Sequence, residues 1–382
     1  MPLRLLRALR CAATALAFLL PGVAVACPLC FSGLVITPGQ KLDAADRAVL
    51  AEPDPAGGYR IVAVVKGSAD GADGMAPIAE VVASPAIVAP LTAAVPAETG
   101  PAERPRLLVR NAVSDDWSDL GAVAAEFAPW LASLAATNRT GDAPAASWPQ
   151  TIVTWASLTD EAWRERLALV APMLENAEPL VAEFAYGELS RAPYAVMRSL
   201  ADALDPATVA GWVADPELAA RRPGYLLLLG IVGGAREAAL VEAAISAAMA
   251  SGDATELGVL LAADLELRGA SRVDWLAVTF FTDPARSLAE IEAARLALSV
   301  HGTADATVPR ARVVDAYRLL IRARPPMAGF FATDLTDWQA WEATADYLAV
   351  MRTDAVKDPA SQLAINLYLR SSPDSGGARL PN

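Results

Sequence analysis

Two closely spaced cysteines are the best candidates for chemistry in this sequence. Cys27 and Cys30 enclose a proline and a leucine in a Cys-Pro-Leu-Cys motif. Thiols at this spacing can form a disulfide, exchange it with other thiols, or hold a soft ion such as Cu(I) as thiolates. Three interpretations are open: a structural disulfide, lipid attachment at Cys27, and redox or copper chemistry.

The residues before these cysteines have the pattern of an export signal. A basic start with three arginines is followed by an apolar run over residues 11–20 and by a small-x-small cleavage pattern at 24–26. The apolar run is too short to span a bilayer as a stable helix. We therefore expect residues 1–26 to be a removed signal peptide. The mature chain, periplasmic or attached to the envelope, would begin at Cys27.

Residues 24–27 and Cys30 bear on whether Cys27 forms a disulfide or carries a lipid anchor. Residues 24–27 resemble a bacterial lipoprotein box in which alanine replaces the favoured leucine. Lipidation of Cys27 would leave Cys30 without its sulfur partner, whereas thiols in an oxidising compartment usually pair. The spacing therefore favours a structural disulfide and keeps lipidation as the alternative.

Composition excludes several other kinds of site. His301 is the only histidine, so the chain cannot assemble a multi-histidine zinc or copper site. Phe31 stands where a haem-attachment motif needs histidine. The formal net charge is −13 at pH 7, and this acidity disfavours nucleic acid as a partner. We predict no cofactor, no metal site and no nucleic-acid partner.

The remaining patterns with catalytic precedents are incomplete. His301 has no nucleophile motif to serve, and residues 230–234 lack the spacing of a dinucleotide-binding loop. Residues 70–74 lack the spacing of a calcium loop. Acidic pairs such as Glu161/Glu165 are better explained as solvated faces of an acidic protein. The sequence therefore predicts no catalytic residues and favours a protein that is not an enzyme.

Residues 27–115 have the texture of a small β-module. The run 59–65 is the clearest strand because it is rich in β-branched residues. Short apolar runs bounded by Gly, Pro and Asp predict four strands, at 48–50, 59–65, 78–82 and 107–109. A connecting helix and loop are predicted over 116–159, with helical periodicity over 121–135.

The chain from 160 to 372 is predicted to be a helical repeat domain, followed by a disordered tail at 373–382. Capping boxes predict helix starts at Ser287 and Thr336. Asp205 and Asp358 each precede a proline, a pattern typical of a cap and a first helical turn.

The predicted helices fall into pairs with a rough repeat. Gly233, Gly269 and Gly302 follow the first helices of three pairs at similar intervals. The second helices carry apolar stripes such as Val241, Ile245 and Met249, or Val314, Tyr317 and Ile321. A hairpin that cannot bury its own apolar face must stack on its neighbours, which predicts an α-solenoid. The repeat resembles HEAT arrays over roughly 179–369, and this resemblance implies a protein-binding or peptide-binding surface.

The front module is similar to the start of exported netrin/TIMP-like OB modules. The resemblance rests on the Cys27–Cys30 motif, on Leu42, Ala45, Asp46 and Val49, and on the strand 59–65 that runs into Lys66-Gly67. It implies an N-terminal cysteine motif, a short helix and strands of an OB-type barrel. The later cysteines of such modules are absent here.

These features predict an α+β fold: an N-terminal β-module, OB-like, followed by a large all-α, HEAT-like solenoid. The predicted function is that of a non-enzymatic exported binding or scaffold protein of the bacterial envelope. Its partner would be a protein or peptide, and the mature chain would have no transmembrane segment. The alternative is a thiol-dependent envelope protein that exchanges disulfides or handles Cu(I) through Cys27 and Cys30.

Overall fold

The computed structural model describes residues 36–55, 57–67, 104–110, 116–138, 158–302 and 306–373. The motif Cys27–Cys30, the predicted strand at 78–82 and the tail after residue 373 lie outside them. The chain divides into two compact units, and the boundary between the sheet-containing unit and the helical unit lies between Trp163 and Arg164. The fold class is α+β, because the chain is mostly helical and has a small antiparallel sheet near its N-terminus.

The first unit is built on a four-stranded antiparallel sheet with the strand order β2-β1-β3-β4. Its elements are α1 (Pro38–Ala44), β1 (Arg47–Pro53), β2 (Tyr59–Lys66), β3 (Arg106–Arg110), β4 (Trp117–Ala122) and α2 (Ala128–Ala136). β1, β2 and β3 contain the predicted ranges 48–50, 59–65 and 107–109, so those predictions are confirmed. β1 is central and its residues 48–51 are fully buried.

Strand β4 corrects the prediction of a helix that begins at residue 121. Trp117–Ala122 pairs with β3, and α2 begins only at Ala128. Trp117 packs on the apolar cluster that contains Val49 and Ile61, and this tertiary contact outweighs the local helical pattern. Gly121 has a φ of 136°, a conformation that glycine adopts without steric cost but that an α-helix does not contain.

Helix α1 is fixed at both of its ends. Thr37 and Gln40 form a capping box at its N-terminus. At its C-terminus the Lys66 ammonium donates hydrogen bonds to the carbonyl oxygens of Leu42 and Asp43, at 2.9 and 2.8 Å. Because Lys66 is the last residue of β2, these bonds tie the helix to the sheet.

The second part of the chain is helical. The element bounds are α3 (Asp160–Val170), α4 (Pro179–Arg191), α5 (Tyr194–Met197), α6 (Pro206–Ala214), α7 (Arg222–Val232), α8 (Ala235–Ser251), α9 (Leu257–Arg268), α10 (Ser271–Leu276), α11 (Leu288–His301), α12 (Arg310–Ala323), α13 (Ala332–Asp337), α14 (Thr344–Met351) and α15 (Pro359–Ser371). A 3₁₀ turn (Arg198–Leu200) follows α5, a π-helical turn (Ala277–Thr282) follows α10, and a 3₁₀ turn (Pro325–Phe331) precedes α13. Among the described helices, none combines the length and apolar character needed to cross a membrane.

Three of the four predicted helix starts are confirmed. Ser287 forms a capping box with Glu290, and the carboxylates of Asp205 and Asp358 cap α6 and α15. The predicted start at Thr336 is wrong, because this residue lies inside α13 and its hydroxyl donates to a carbonyl of the preceding turn. The chain then leaves the helix through Gln339, whose φ is +54°. The capping-box pattern that begins at Thr336 thus lies at the C-terminal end of a helix.

The predicted helix pairs are present as α7/α8, α9/α10 and α11/α12, with Gly233, Gly269 and Gly302 directly after the first helices. The first helices pack side by side, α7 on α9 and α9 on α11. A Cβ atom on Gly230 of α7 would lie 2.8 Å from the Cα atom of Ala263 on α9. This glycine therefore allows the two backbones to approach closely.

An ion triad lies fully inside the helical unit. Glu188 of α4 is 2.8 Å from Arg166 of α3 and 2.6 Å from Arg191. The Glu188 and Arg166 side chains are completely buried, and that of Arg191 is 3% exposed. Buried charges of this kind need their partners, because desolvation of an unpaired ion is very costly.

Candidate functional site

Helix α9 is enclosed from two opposite sides. Asp264 and Glu266 are two positions apart, which places them roughly 200° apart around the helix axis. Asp264 binds Arg272 of α10, whereas Glu266 binds Arg198 of the turn after α5. The first helices of the pairs form a layer. At α9, the second helices lie on one side of this layer, and the α5 segment (α5 and the turn Arg198–Leu200) lies on the other.

The α5 side of this helix holds a buried polar cluster around Glu266. The Arg198 guanidinium donates to both carboxylate oxygens of Glu266 at 2.9–3.1 Å. The hydroxyls of Tyr194 and Thr307 donate to it as well. Burial raises the pKa of Glu266, but the bonds from Arg198 and Thr307 outweigh it and hold that pKa below its usual value. The carboxylate is thus charged and surrounded by donors.

His301 lies beside this cluster and is completely buried. Its Nε2 is 2.9 Å from the carbonyl oxygen of Ala262, and its Nδ1 is 3.4 Å from Nη2 of Arg198. Because a carbonyl can only accept, we assign the proton to Nε2, which leaves Nδ1 as the acceptor. Burial lowers the pKa of His301 to about 4. The imidazole is therefore neutral near pH 7 and joins α11 to α9.

The His301 environment predicts a specific loss of stability in acid. A histidine of the unfolded chain titrates near pH 6.5, so protonation of His301 favours unfolding between that pH and about pH 4. We expect the free energy of unfolding to fall by roughly 2 kcal/mol between pH 7 and about pH 4.5 through this group alone. His301→Gln removes the titration but keeps a donor for Ala262. Denaturant titrations of both proteins should show the wild type losing more; equal losses would contradict the assignment.

A first surface groove lies between α8 and α10 and has a volume of about 350 Å³. The Arg272 guanidinium lies 3.9 Å from the centre of the Trp275 ring and also binds Asp264. Arg268 joins Asp264 to Glu242 at 3.1 and 2.7 Å. The two guanidinium charges, of Arg268 and Arg272, are thus balanced by the carboxylates of Asp264 and Glu242. Its lining residues are Glu242, Ile245, Ser246, Met249, Arg272 and Trp275.

A second cleft, called the α11 cleft below, lies between α11 and the turn Pro325–Phe331. It has a volume of about 320 Å³ and is lined by Leu288, Glu292, Arg295 and Phe330. The three α11 residues are spaced i, i+4 and i+7, which places them on one face of the helix. Leu288 is 60% exposed and Phe330 is 41% exposed. Two large apolar side chains thus converge on one concave surface while remaining in contact with water.

The local sequence explains why Phe330 faces outward. Pro325 and Pro326 lack amide hydrogens and therefore end α12. In the turn that follows, Ala328, Gly329 and Phe331 are buried. Phe330 is left on the outer side of this turn, next to the exposed face of α11.

Neither cleft is predicted by the patterns in the sequence. Leu288 directly follows the predicted helix start at Ser287, and Phe330 follows a Pro-Pro pair that indicates a turn. An apolar residue just inside a helix cap and an aromatic residue within a predicted turn are the signals that the sequence offers. Cys27 and Cys30 lie outside the described residues. Within the described ranges, no group of three or more His, Cys, Asp or Glu side chains is arranged to hold a metal ion.

Comparison of the chain with known protein families, with curated proteins and with solved structures gave no match. The class of protein is therefore defined here by the fold alone, an α+β chain with packed helical pairs. The residues of the two clefts and of the buried cluster are the structural features that bear on function.

Proposed function

We propose that this chain is a non-enzymatic binding or scaffold protein, exported to the bacterial envelope, that receives a protein or peptide on its helical-repeat surface. The observation that carries the proposal is the α11 cleft, with the exposed side chains of Leu288 and Phe330. Large apolar side chains that converge on a concave surface are typical of docking sites. Polar residues at its edge, Glu292 and Arg295, would fix the orientation of the bound segment.

The proposal includes a HEAT-like solenoid for the helical pairs. The packing of α7 on α9 and of α9 on α11 supports it, as do the second helices that follow each first helix. Because the α5 segment covers the Glu266 side of α9, an occupant would have to bind at a surface that this segment leaves open. The cleft at α11 is such a position.

The β-module is included as an OB-like domain of the netrin/TIMP type. Its support is the order of elements, in which α1 precedes β1 and β2 ends at Lys66, directly before Gly67. The Lys66 ammonium binds the C-terminal carbonyls of α1, which gives this lysine a structural reason to stand at the end of β2. Export is supported by the signal pattern in residues 1–26.

The surroundings of His301 support a binding role over a hydrolytic one. Its Nε2 proton is committed to the carbonyl oxygen of Ala262, and its Nδ1 faces the Arg198 guanidinium. A general base needs a free nitrogen lone pair directed at a substrate proton. In this position the ring serves the contact between α9 and α11.

A capture experiment tests the proposed function. We expect the mature protein to recover a defined protein or peptide partner from envelope extracts. A double variant that carries Leu288→Asp and Phe330→Asp should reduce this recovery at least tenfold. Leu240→Asp is the matched control, because Leu240 is 51% exposed on α8 and does not line the α11 cleft. Equal recovery by all three proteins, or turnover of a small substrate by a protein that captures nothing, would contradict the proposal.

The thiol motif supports a second candidate function, disulfide exchange or Cu(I) handling through Cys27 and Cys30. Two thiols separated by two residues can take part in either reaction as thiolates. A thiol titration with and without reductant, combined with Cu(I) competition, separates this function from the first. Cysteines that stay paired and unreactive under these conditions would eliminate it and leave a structural disulfide. The intact mass of the mature protein would reveal a lipid on Cys27.

A further inference from the structure

We propose that the α11 cleft binds a peptide segment in which a cationic side chain lies next to a large apolar one. The inference rests on the proposed function, because it names the chemistry of the segment that the same cleft receives. It is carried by two independent properties of the cleft, the exposure of its apolar residues and the balance of its charges.

The apolar half of the recognition comes from Leu288 and Phe330. A volume of about 320 Å³ lies at the lower end of the range for ligand sites, so it accommodates one large side chain and its immediate neighbours. Burial of the exposed surfaces of Leu288 and Phe330 would supply the favourable free energy of contact. A segment without a large apolar residue would leave both side chains in water.

The cationic half follows from the carboxylates around Arg295. Glu292 accepts hydrogen bonds from Arg295 at 2.9 and 2.7 Å, and Asp334 lies 3.6 Å from the same guanidinium. Two carboxylates therefore share one guanidinium, which leaves a local excess of one negative charge. The Glu292 side chain is 39% exposed, so a cation can reach it from the solvent.

The two neighbouring guanidinium groups, of Arg286 and Arg324, do not cancel this excess, because Asp283 and Glu290 supply two carboxylates that balance their two charges. Arg286 binds Glu290 and also contacts Asp283. Arg324 donates to the carbonyl oxygens of Phe281 and Asp283. An acidic segment would add a further carboxylate beside Glu292. A lysine or arginine would instead complete the charge balance, and its aliphatic stem could pack on the Phe330 ring.

The test uses three labelled peptides of equal length, acetylated and amidated, in which Leu and Phe alternate with Lys, with Glu or with Ser. Binding to the full mature protein is measured by fluorescence anisotropy. We expect the Lys peptide to bind at least tenfold more tightly than the Glu peptide, with the Ser peptide between them. Leu288→Ser should weaken all three peptides, and circular dichroism should show that this variant remains folded.

Glu292→Gln isolates the charge. We expect it to weaken the Lys peptide by about threefold to fivefold, the range of an exposed ion pair, and to leave the Ser peptide unchanged. Glu217→Gln is the matched control: it changes the net charge of the protein equally but lies on the exposed turn after α6. A similar loss in this control would mean that the general field of the protein, and not the cleft, selects cations, and would overturn the inference.

The other outcomes separate the inference from the proposed function. If the three peptides bind equally and depend on Leu288, the cationic preference is wrong while the docking function stands. If no peptide binds, or if Leu288→Ser has no effect on binding, both fail. A concentration-dependent dimer that Leu288→Ser abolishes would identify a second copy of the chain as the occupant, and would overturn the peptide proposal.

Discussion

Glu188→Gln is expected to lower the free energy of unfolding by about 3–5 kcal/mol, the range for loss of one partner from a buried ion group. The substitution keeps the shape of the side chain but removes the charge that lies between Arg166 and Arg191, at 2.8 and 2.6 Å. Both buried guanidinium groups then lose the charge of Glu188 as a partner. Chemical denaturation followed by circular dichroism measures the loss directly.

Two control variants show whether a loss of stability in Glu188→Gln comes from the buried charges. Glu161→Gln makes the same chemical change at an exposed position of α3 and should alter stability little. Replacement of all three ionic residues by Met should recover much of the lost stability, because an apolar group of similar volume removes the desolvation cost. A loss below about 1 kcal/mol for Glu188→Gln would show that water reaches the triad.

Gly329→Ala is expected to destabilise the protein by about 3 kcal/mol, the upper part of the usual range for overpacking. A Cβ atom at this position would lie 2.3 Å from Cβ and 2.5 Å from Cα of Ser361. Ser361 is buried in the first turn of α15 and is held by the Asp358 carboxylate at 2.8 Å. The clash therefore involves backbone, and α15 would have to move away from the turn Pro325–Phe331.

Gly211→Ala is the matched control for this substitution. Gly211 lies inside α6, and a Cβ atom there would meet nothing within 4 Å. Alanine has the higher helix propensity, so this variant should be more stable than the wild type by up to about 1 kcal/mol. If Gly329→Ala unfolds at the same denaturant concentration as the wild type, the close approach of α15 to Gly329 is wrong.

The parts of the fold that the sequence predicted are those set by local patterns. The strand 59–65 follows from its β-branched residues, and the helix pairs from apolar stripes such as Val241 and Ile245. The predictions of helix starts are confirmed at Asp205 and Ser287, where an acidic or hydroxyl residue directly precedes the first turn of a helix. At Thr336 the same pattern of residue types lies at the end of a helix, because neighbouring helices decide where the backbone turns.

Features that depend on distant residues could not be predicted. Trp117 joins β4 because the apolar cluster of the sheet lies beside it, and no local signal contains that information. The α11 cleft needs Leu288 and Phe330, which are far apart in the sequence, to meet across a turn that ends α12. Sequence patterns indicate which residues prefer burial, but they do not show which apolar residues will be left exposed together.

The ion pair between Arg198 and Glu266 of α9 limits where helical pairs can be added to or removed from this protein. In an open repeat array, whole units can be duplicated or deleted because each contacts only its neighbours. Here Arg198, from a segment that precedes the pair α7/α8, binds Glu266 of α9 and so bypasses the pair between them. An extra unit inserted before α9 would separate these charges from their partners. We therefore expect natural variation in unit number to be confined to the chain beyond α12.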